Sequence, residues 1–179
     1  MVYILTPITR LDVKTGSTGL FRFAGHDHLI RARAFSGRVV YFPNTPSASR
    51  VEIALPTDSL MVLTPPDTAE IRKVTESMRT EVLDVALYPE IKFASTAVAP
   101  IQDGLRIQGE LTMHGQTRVV TIDVRTTIGT DTLRATGTFF TKQTDFGIKP
   151  YRGGPAGIVK VANRVEFELD VVALRSTGP

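Results

Sequence analysis

Hydrophobic and polar residues alternate with a period of two along most of this chain, the pattern of strands that bury one face. Four segments carry it most clearly. Their apolar faces are Val51, Ile53 and Leu55; Leu105, Ile107, Leu111 and Met113; Val120, Ile122 and Val124; and Val165, Phe167, Leu169 and Val171. The intervening residues are mostly charged or hydroxylated, so each segment predicts an antiparallel strand with one solvated face.

Turn-forming residues separate the strand-like runs at 42–49, 102–104, 114–116, 128–131 and 152–157. Short strands divided at such spacing are typical of an antiparallel sandwich or barrel. We therefore predict an all-β fold over a single domain, residues 1–179, most simply a closed eight-stranded antiparallel barrel.

One segment departs from the alternation and predicts a helical insertion at about 67–81. Asp67 and Glu70 have the spacing of a capping box, and Ile71, Val74 and Met78 then follow at helical spacing. We expect this apolar stripe to lie against the barrel and close one end of it.

Small residues interrupt the inner faces of the predicted strands. Ala32 and Ala34 follow Ile30, Gly109 lies between Ile107 and Leu111, and Ala135 and Gly137 lie between Leu133 and Phe139. An eight-stranded barrel is either just filled by side chains or holds one small ligand, and small inward residues favour a cavity. The alternative is that they only fit the taper of a filled barrel.

Composition and motifs exclude several classes of function. Of 179 residues 42% are hydrophobic, and 21 Lys and Arg are scattered among 18 Asp and Glu without the basic stripe of a nucleic-acid-binding protein. The absence of cysteine excludes disulfides and thiolate metal sites. No run of 18 apolar residues predicts a membrane span. Motifs for a serine nucleophile, a zinc protease or a phosphate loop are lacking, so we expect neither an enzyme nor a cofactor.

The stretch "GHDHLIRARAFSG", residues 25–37, is the main candidate for chemistry. His26 and His28 lie two apart, so on a strand both point to one side, and His114 is the only other histidine. We predict that the run from Leu29 is a strand starting near a rim of the barrel. Three roles stay open for the histidine pair: hydrogen bonds to backbone, contact with the polar head of a ligand, or metal binding. Arg31 and Arg33 alternate with alanines, which favours the outer face for both.

Two longer segments carry a family resemblance. "MRTEVLDVALYPEIKFASTAV" is followed about a dozen residues later by "GELTMHGQTRVVTIDV", and "TDFGI" at 144–148 and the strand from Val165 complete the match. In this order the segments resemble the YceI-like polyisoprenoid-binding family over most of the chain. Its matching positions are Leu83, Asp84, Tyr88, Pro89, Ile91, Phe93, Ser95, Thr96, Leu111, Thr112, His114, Gly115 and Thr117. The chain departs from the family in Gln143, where an arginine is usual, and in its doubled early histidine.

The resemblance implies an eight-stranded lipocalin-like barrel with a helix over it, often as a homodimer. It implies a ligand that is a long-chain amphiphile such as a polyisoprenoid, an isoprenoid quinone or a fatty acid or amide, and no catalysis. It also implies the periplasm. Residues 1–12 lack the pattern of a signal peptide, so the cytoplasm stays open as the alternative, unless a leader precedes the sequence as written.

We combine these arguments into a set of expected ligand contacts: Phe21, Phe23, His26, His28, Ile30, Ala32, Ala34, Ile53, Phe93, Ile107, Gly109, Leu111, Ile122, Leu133, Gly137, Phe139, Phe146 and Phe167. Two alternatives are a metal-binding protein or metal-dependent enzyme that uses His26 and His28, and an interaction module with a filled barrel.

Overall fold

Twelve strands and one α-helix make up the computed structural model, which describes residues 1–17, 27–64, 68–153 and 159–176. The strands are β1 (Val2–Leu5), β2 (Arg10–Ser17), β3 (His28–Ala32), β4 (Ser36–Val40), β5 (Arg50–Pro56), β6 (Leu60–Val62), β7 (Glu90–Ile101), β8 (Gly104–Met113), β9 (Gln116–Ile128), β10 (Thr132–Lys142), β11 (Arg152–Gly153) and β12 (Val159–Arg175). The helix α1 spans Thr68–Ser77 and continues as a π-helical turn, Met78–Val82.

The sheet closes on itself as an eight-membered ring. Strands β1, β4, β5, β7, β8, β9, β10 and β12 pair in that order, and β12 pairs with β1 again, every contact being antiparallel. The eight-stranded antiparallel barrel expected from the alternation is therefore confirmed.

Three members of the ring are strands broken into two parts. They are β1 with β2, β3 with β4, and β5 with β6. β12 pairs with both β1 and β2. In the same way β1 and β2 pair with β4 and β3, which in turn pair with β5 and β6. The break between β1 and β2 is held by Thr6 and Thr9, whose hydroxyls both donate to the carbonyl of Val172, at 2.8 and 2.9 Å. Because each break bends the strand, the barrel curves around its interior.

The break between β3 and β4 corrects one sequence prediction. Alternation from Ile30 predicts that Ala34 faces inward, but residues 33–34 form a bend. The bend shifts the alternation by one position, so Ala34 is exposed and Phe35 packs against the core.

The predicted helix is present and lies against β6. The backbone N–H of Val62 donates to Thr75 Oγ1 at 3.2 Å, and Arg79 Nη2 donates to the carbonyl of Leu60 at 3.1 Å. Val74 packs against the core and Met78 is 8% exposed, as the apolar stripe predicted. Asp67, the expected first residue of the capping box, lies outside the described residues. Among those described, no helix reaches the length and hydropathy needed to span a bilayer.

The turn from β8 to β9 shows why glycine follows a histidine there. His114 and Gly115 have φ values of 51° and 70°, the left-handed conformation that a two-residue hairpin requires at both central positions. The ring of His114 lies against Tyr88, with centroids 4.1 Å apart, and its Nδ1 is 3.2 Å from the carbonyl oxygen of Phe146. This histidine therefore supports the end of the barrel.

Candidate functional site

The barrel is hollow. Its interior holds a cavity of about 730 Å³, bounded by the inner faces of the strands and by one face of α1. This volume lies within the range of roughly 300–1,000 Å³ typical of small-molecule sites. The filled barrel considered from the sequence is wrong.

Most of the expected ligand contacts form part of the cavity wall. On β3 they are a histidine and two apolar residues, and on the other strands they are aliphatic or aromatic side chains. The wall includes His28, Ile30, Ala32, Ile53, Phe93, Ile107, Leu111, Ile122, Leu133, Phe139 and Phe167. Phe21, Phe23 and His26 lie outside the described residues.

Two expected contacts, Gly109 and Gly137, do not reach the cavity. A Cβ on Gly109 would lie 2.5 Å from the ring of Phe93, and one on Gly137 would lie 2.8 Å from the carbonyl oxygen of Asp123. Gly109 thus provides a seat for the Phe93 ring, which lines the cavity in its place. The glycines permit close packing within the wall instead of widening the lumen.

The remaining two, Ala34 and Phe146, are also absent from the wall. Ala34 is exposed because of the bend after β3. Phe146 is fully buried in the core at the end of a 3-10 turn, Gln143–Phe146. Gln143 and Ile148, on either side of it in sequence, line the cavity.

Several polar wall residues lie at one end of the cavity, which we call the mouth and define by Thr15, Ser17, His28, Lys73 and Lys160. Ser17 at the end of β2 pairs with Val161 near the start of β12, and Thr15 pairs with His28 at the start of β3. Lys73 and Lys160 line the cavity and are also exposed, so the cavity meets solvent here.

The opposite end of the barrel is closed by an apolar cluster. Tyr3, Val39, Leu133 and Ala173 are buried together there, and Tyr3 and Ala173 have no exposed surface. The cavity therefore runs from an end with exposed lysines to a mainly apolar, buried end, where Tyr41 also lines the wall.

One face of the helix lines the cavity and carries both polar and apolar side chains. Glu70, Lys73, Val74, Ser77 and Met78 line it, at the i, i+3 and i+4 spacing of one helical face. Glu70 and Lys73 precede Val74 and Met78 along this face, and Ala69 at the start of the helix also lines the cavity. The sequence stripe identified Val74 and Met78 but included Ile71, which is not part of the wall, and missed the polar members.

The histidine loop is held by a hydrogen-bond network around Thr64. Nδ1 of His28 is 2.8 Å from the carbonyl oxygen of Thr64, and Thr64 Oγ1 accepts from the backbone N–H of Leu29 at 2.9 Å and donates to the carbonyl of Asp27 at 3.2 Å. Asp27 Oδ1 accepts from the backbone N–H of Ser17 at 3.1 Å. His28 thus binds backbone through one nitrogen while its ring lines the cavity.

No group of three or more His, Asp or Glu side chains suited to a metal ion occurs in the described part of the chain. His114, the third imidazole considered from the sequence, is engaged with Tyr88 and the carbonyl of Phe146. His26 lies outside the described residues.

Arg31 and Arg33 take no part in the wall. Arg33 is exposed, and Arg31 on the outer face forms two hydrogen bonds to Asp12, with Nε to Oδ1 at 2.7 Å and Nη2 to Oδ2 at 2.6 Å. These hydrogen bonds raise the pKa of Arg31. Arg31 therefore links β3 to β2 on the outer face of the sheet.

Sequence reasoning missed Thr15, Ser17, Gln143, Tyr151 and Lys160 as wall residues. Thr15, Ser17 and Gln143 carried a usable signal. Thr15 and Ser17 continue the inward alternation of Leu11 and Val13, and Gln143 continues that of Leu133, Ala135 and Phe139. Tyr151 and Lys160 carried no such signal.

The chain is similar to proteins of one known family. A family model described as YceI-like domain matches residues 13–173. Protein YceI of Salmonella arizonae and of Salmonella newport are each 32% identical over 91 residues, which is 51% of this chain and 44% of each relative. The match thus spans less than half the length of these relatives.

Solved structures show the same fold at lower identity. BcnA of Burkholderia cenocepacia has a TM-score of 0.71 at 20% identity, covering 90% of this chain and 95% of that one. A polyisoprenoid binding domain from Saccharophagus degradans has a TM-score of 0.69 at 11% identity, covering 98% of both chains. The YCEI protein of Campylobacter jejuni has a TM-score of 0.62 at 12% identity, covering 82% and 84%.

Proposed function

Because the chain belongs to the YceI-like domain family, we propose that it binds a long-chain apolar amphiphile in the barrel lumen, without catalysis, for carriage, storage or sequestration. The observation that carries this proposal is the cavity of about 730 Å³, apolar over most of its wall and polar at the mouth. A hydrocarbon chain fits the closed apolar end, and its head group lies at the mouth.

Burial of the chain supplies enough free energy for such binding. Removing ~400 Å² of ligand hydrocarbon from water contributes about 10 kcal/mol at ~25 cal/mol per Å². Loss of ligand freedom offsets part of it. An isoprenoid or a fatty chain satisfies this requirement equally well. The Saccharophagus degradans neighbour, described as a polyisoprenoid binding domain, supports the isoprenoid.

Three further properties remain part of the proposal. We retain a single domain over residues 1–179, the homodimer and the periplasmic location implied by the resemblance. Light scattering on the purified protein measures the oligomeric state, and fractionation of the native cells measures the compartment.

Lipid uptake by delipidated protein tests the function. Ala135 lines the cavity, whereas its neighbour Thr136 is exposed on the other face of β10. We expect Ala135→Phe to fill part of the lumen and reduce uptake of a fluorescent long-chain lipid at least several-fold, and Thr136→Phe to leave it unchanged. If delipidated wild-type protein takes up neither isoprenoid nor fatty chains, the proposed function is wrong.

A further inference from the structure

His28 presents an acceptor nitrogen at the mouth. A carbonyl oxygen only accepts, so the contact of 2.8 Å with Thr64 requires that Nδ1 carry the hydrogen. The uncharged ring then has its lone pair on Nε2, and no described residue bonds to that atom. Because the ring lines the cavity, Nε2 is available to a bound molecule that carries a donor.

Thr15 supplies a hydroxyl beside this acceptor. It lies opposite His28 in the ladder between β2 and β3 and also lines the cavity. Side chains directly opposite each other on one face have Cβ atoms about 4.5–5.5 Å apart. The Thr15 hydroxyl makes no hydrogen bond with any described residue, so it can donate to the same ligand group that donates to His28.

The positive charges at the mouth lie on exposed side chains. Lys73 and Lys160 are exposed, while the more deeply placed polar residue on this side, Gln143, is 8% exposed and uncharged. Gln143 Nε2 donates to the carbonyl of Ala162 at 2.7 Å, which fixes the amide in the wall. A carboxylate or phosphate beside His28 would place its acceptor oxygens against the acceptor nitrogen Nε2. Such a contact is unfavourable, because an anion requires hydrogen-bond donors.

From these groups we infer that the ligand's polar end is an uncharged hydroxyl group, which donates to Nε2 of His28 and accepts from Thr15. The inference rests on the proposed function and narrows its ligand class from amphiphiles in general to long-chain alcohols. Acids and diphosphates of the same chain bind less tightly.

Competition among ligands that share one hydrocarbon chain and differ in their polar head group tests this assignment. Farnesol, farnesyl methyl ether and farnesoic acid compete with a fluorescent lipid at about pH 8.5, where a free imidazole is uncharged. We expect wild-type protein to prefer the alcohol to the ether by about 3–10-fold, the effect of one hydrogen bond that the ether cannot donate. We expect the acid to bind more weakly than the alcohol.

Variants at two histidines localise the preference. His28→Phe removes the acceptor and brings the ratio of alcohol to ether affinity close to one, with the ether's own affinity retained. His28→Gln can donate to Thr64 and still offer an amide oxygen, so it keeps part of the preference. His114→Asn is the matched control, because it removes an imidazole outside the wall and asparagine tolerates the left-handed conformation of that turn.

Equal affinity for alcohol and ether in the wild type, tighter binding of the acid, or a preference that survives His28→Phe would each overturn the inference and leave lumen binding intact. Failure of the fluorescent lipid itself to bind would instead overturn the proposed function, and the head-group assignment with it.

Discussion

At the scale of single residues, cross-strand ion pairs on the outer face differ in how far water reaches them. Arg10 and Asp170 are 57% and 36% exposed, whereas Arg31 and Asp12 are 29% and 9% exposed. Exposed pairs contribute little because water screens them, but a nearly buried carboxylate depends on its partner. The two pairs should therefore respond differently to the loss of their arginine.

We expect Arg31→Met to lower the free energy of unfolding by about 1–3 kcal/mol, since it leaves the Asp12 carboxylate without its two hydrogen bonds. Arg10→Met should cost less than about 1 kcal/mol. Urea unfolding of both variants measures the difference. Equal losses would mean that Asp12 finds other partners when Arg31 is absent.

The Arg106–Asp123 pair provides a pH-dependent test. Both carboxylate oxygens of Asp123 accept from Arg106 at 2.7 Å, which lowers the pKa of Asp123. A lowered folded-state pKa contributes stability above the unfolded-state value, and this contribution is lost as the pH falls through the folded-state value.

We therefore expect Asp123→Asn to destabilise the protein slightly at pH 7 and to differ less from the wild type at about pH 3, because the contribution of the ionised pair declines as the pH falls below the unfolded-state pKa. Asp103→Asn is the control, because Asp103 lies in an exposed turn without an ion pair among the described residues. Denaturant midpoints at the two pH values decide the matter. A difference that grows on acidification contradicts the assigned direction.

At the scale of elements, α1 and the π-helical turn after it form the helical part of the wall. Helix and turn meet at Met78, whose carbonyl accepts from the backbone N–H of Leu83 at 2.9 Å. The attachment to β6 rests on a few side-chain hydrogen bonds and not on a strand ladder. Local opening at this element therefore requires less free energy than separating two strands.

We expect Met78→Ala to speed release of a bound fluorescent lipid several-fold, at a stability cost near the lower end of the roughly 2–5 kcal/mol typical of such changes. The cost is low because the side chain already borders a cavity. Glu76→Ala, on the exposed face, should leave release unchanged. If Met78→Ala lowers stability without altering release, α1 is part of the core and does not act as a lid.

At the scale of the whole molecule, the two ends of the chain close the barrel together. β1 pairs with β12 through Tyr3 and Arg175 and with β4 on its other side. Ring closure leaves the cavity enclosed by one continuous sheet, so a ligand in the lumen contacts strands from every part of the chain. Occupancy should therefore stabilise the fold as a unit.

Saturation with a bound lipid at about 100 times its Kd should add roughly 2.7 kcal/mol. For a chain of this size that corresponds to an increase in Tm of about 5–10 °C. Scanning calorimetry with and without farnesol measures it, and the Ala135→Phe variant should show a smaller increase. An equal increase in that variant would place the ligand outside the lumen.

Much of this architecture follows from local pattern. The period-two alternation identified β5, β8, β9 and β12, and helical spacing identified α1, because both periods are set by backbone geometry within a few residues. The inward faces chosen on this basis include Ile53, Ile107, Ile122 and Phe167, and all four line the cavity. The closed barrel then follows from many short antiparallel strands.

Tertiary structure decided which inward positions face open space. Gly109 points inward as alternation requires, yet the Phe93 ring from the neighbouring strand covers it. The bend at 33–34 exchanged the faces of Ala34 and Phe35, which no alternation rule anticipates. Alternation within one strand cannot show which side chain of the next strand occupies the space in front of it.

The mouth depended most on tertiary structure. The sequence by itself identified His28 as a candidate and left its role open among backbone contact, head-group contact and metal. Only folding brought the end of β2, the start of β3, the middle of α1 and the start of β12 to one end of the cavity. Only the contact with Thr64 fixed which ring nitrogen of His28 carries the hydrogen. Hydrogen-bond partners 36 residues apart are chosen by the packing of the whole barrel, and local pattern carries no record of them.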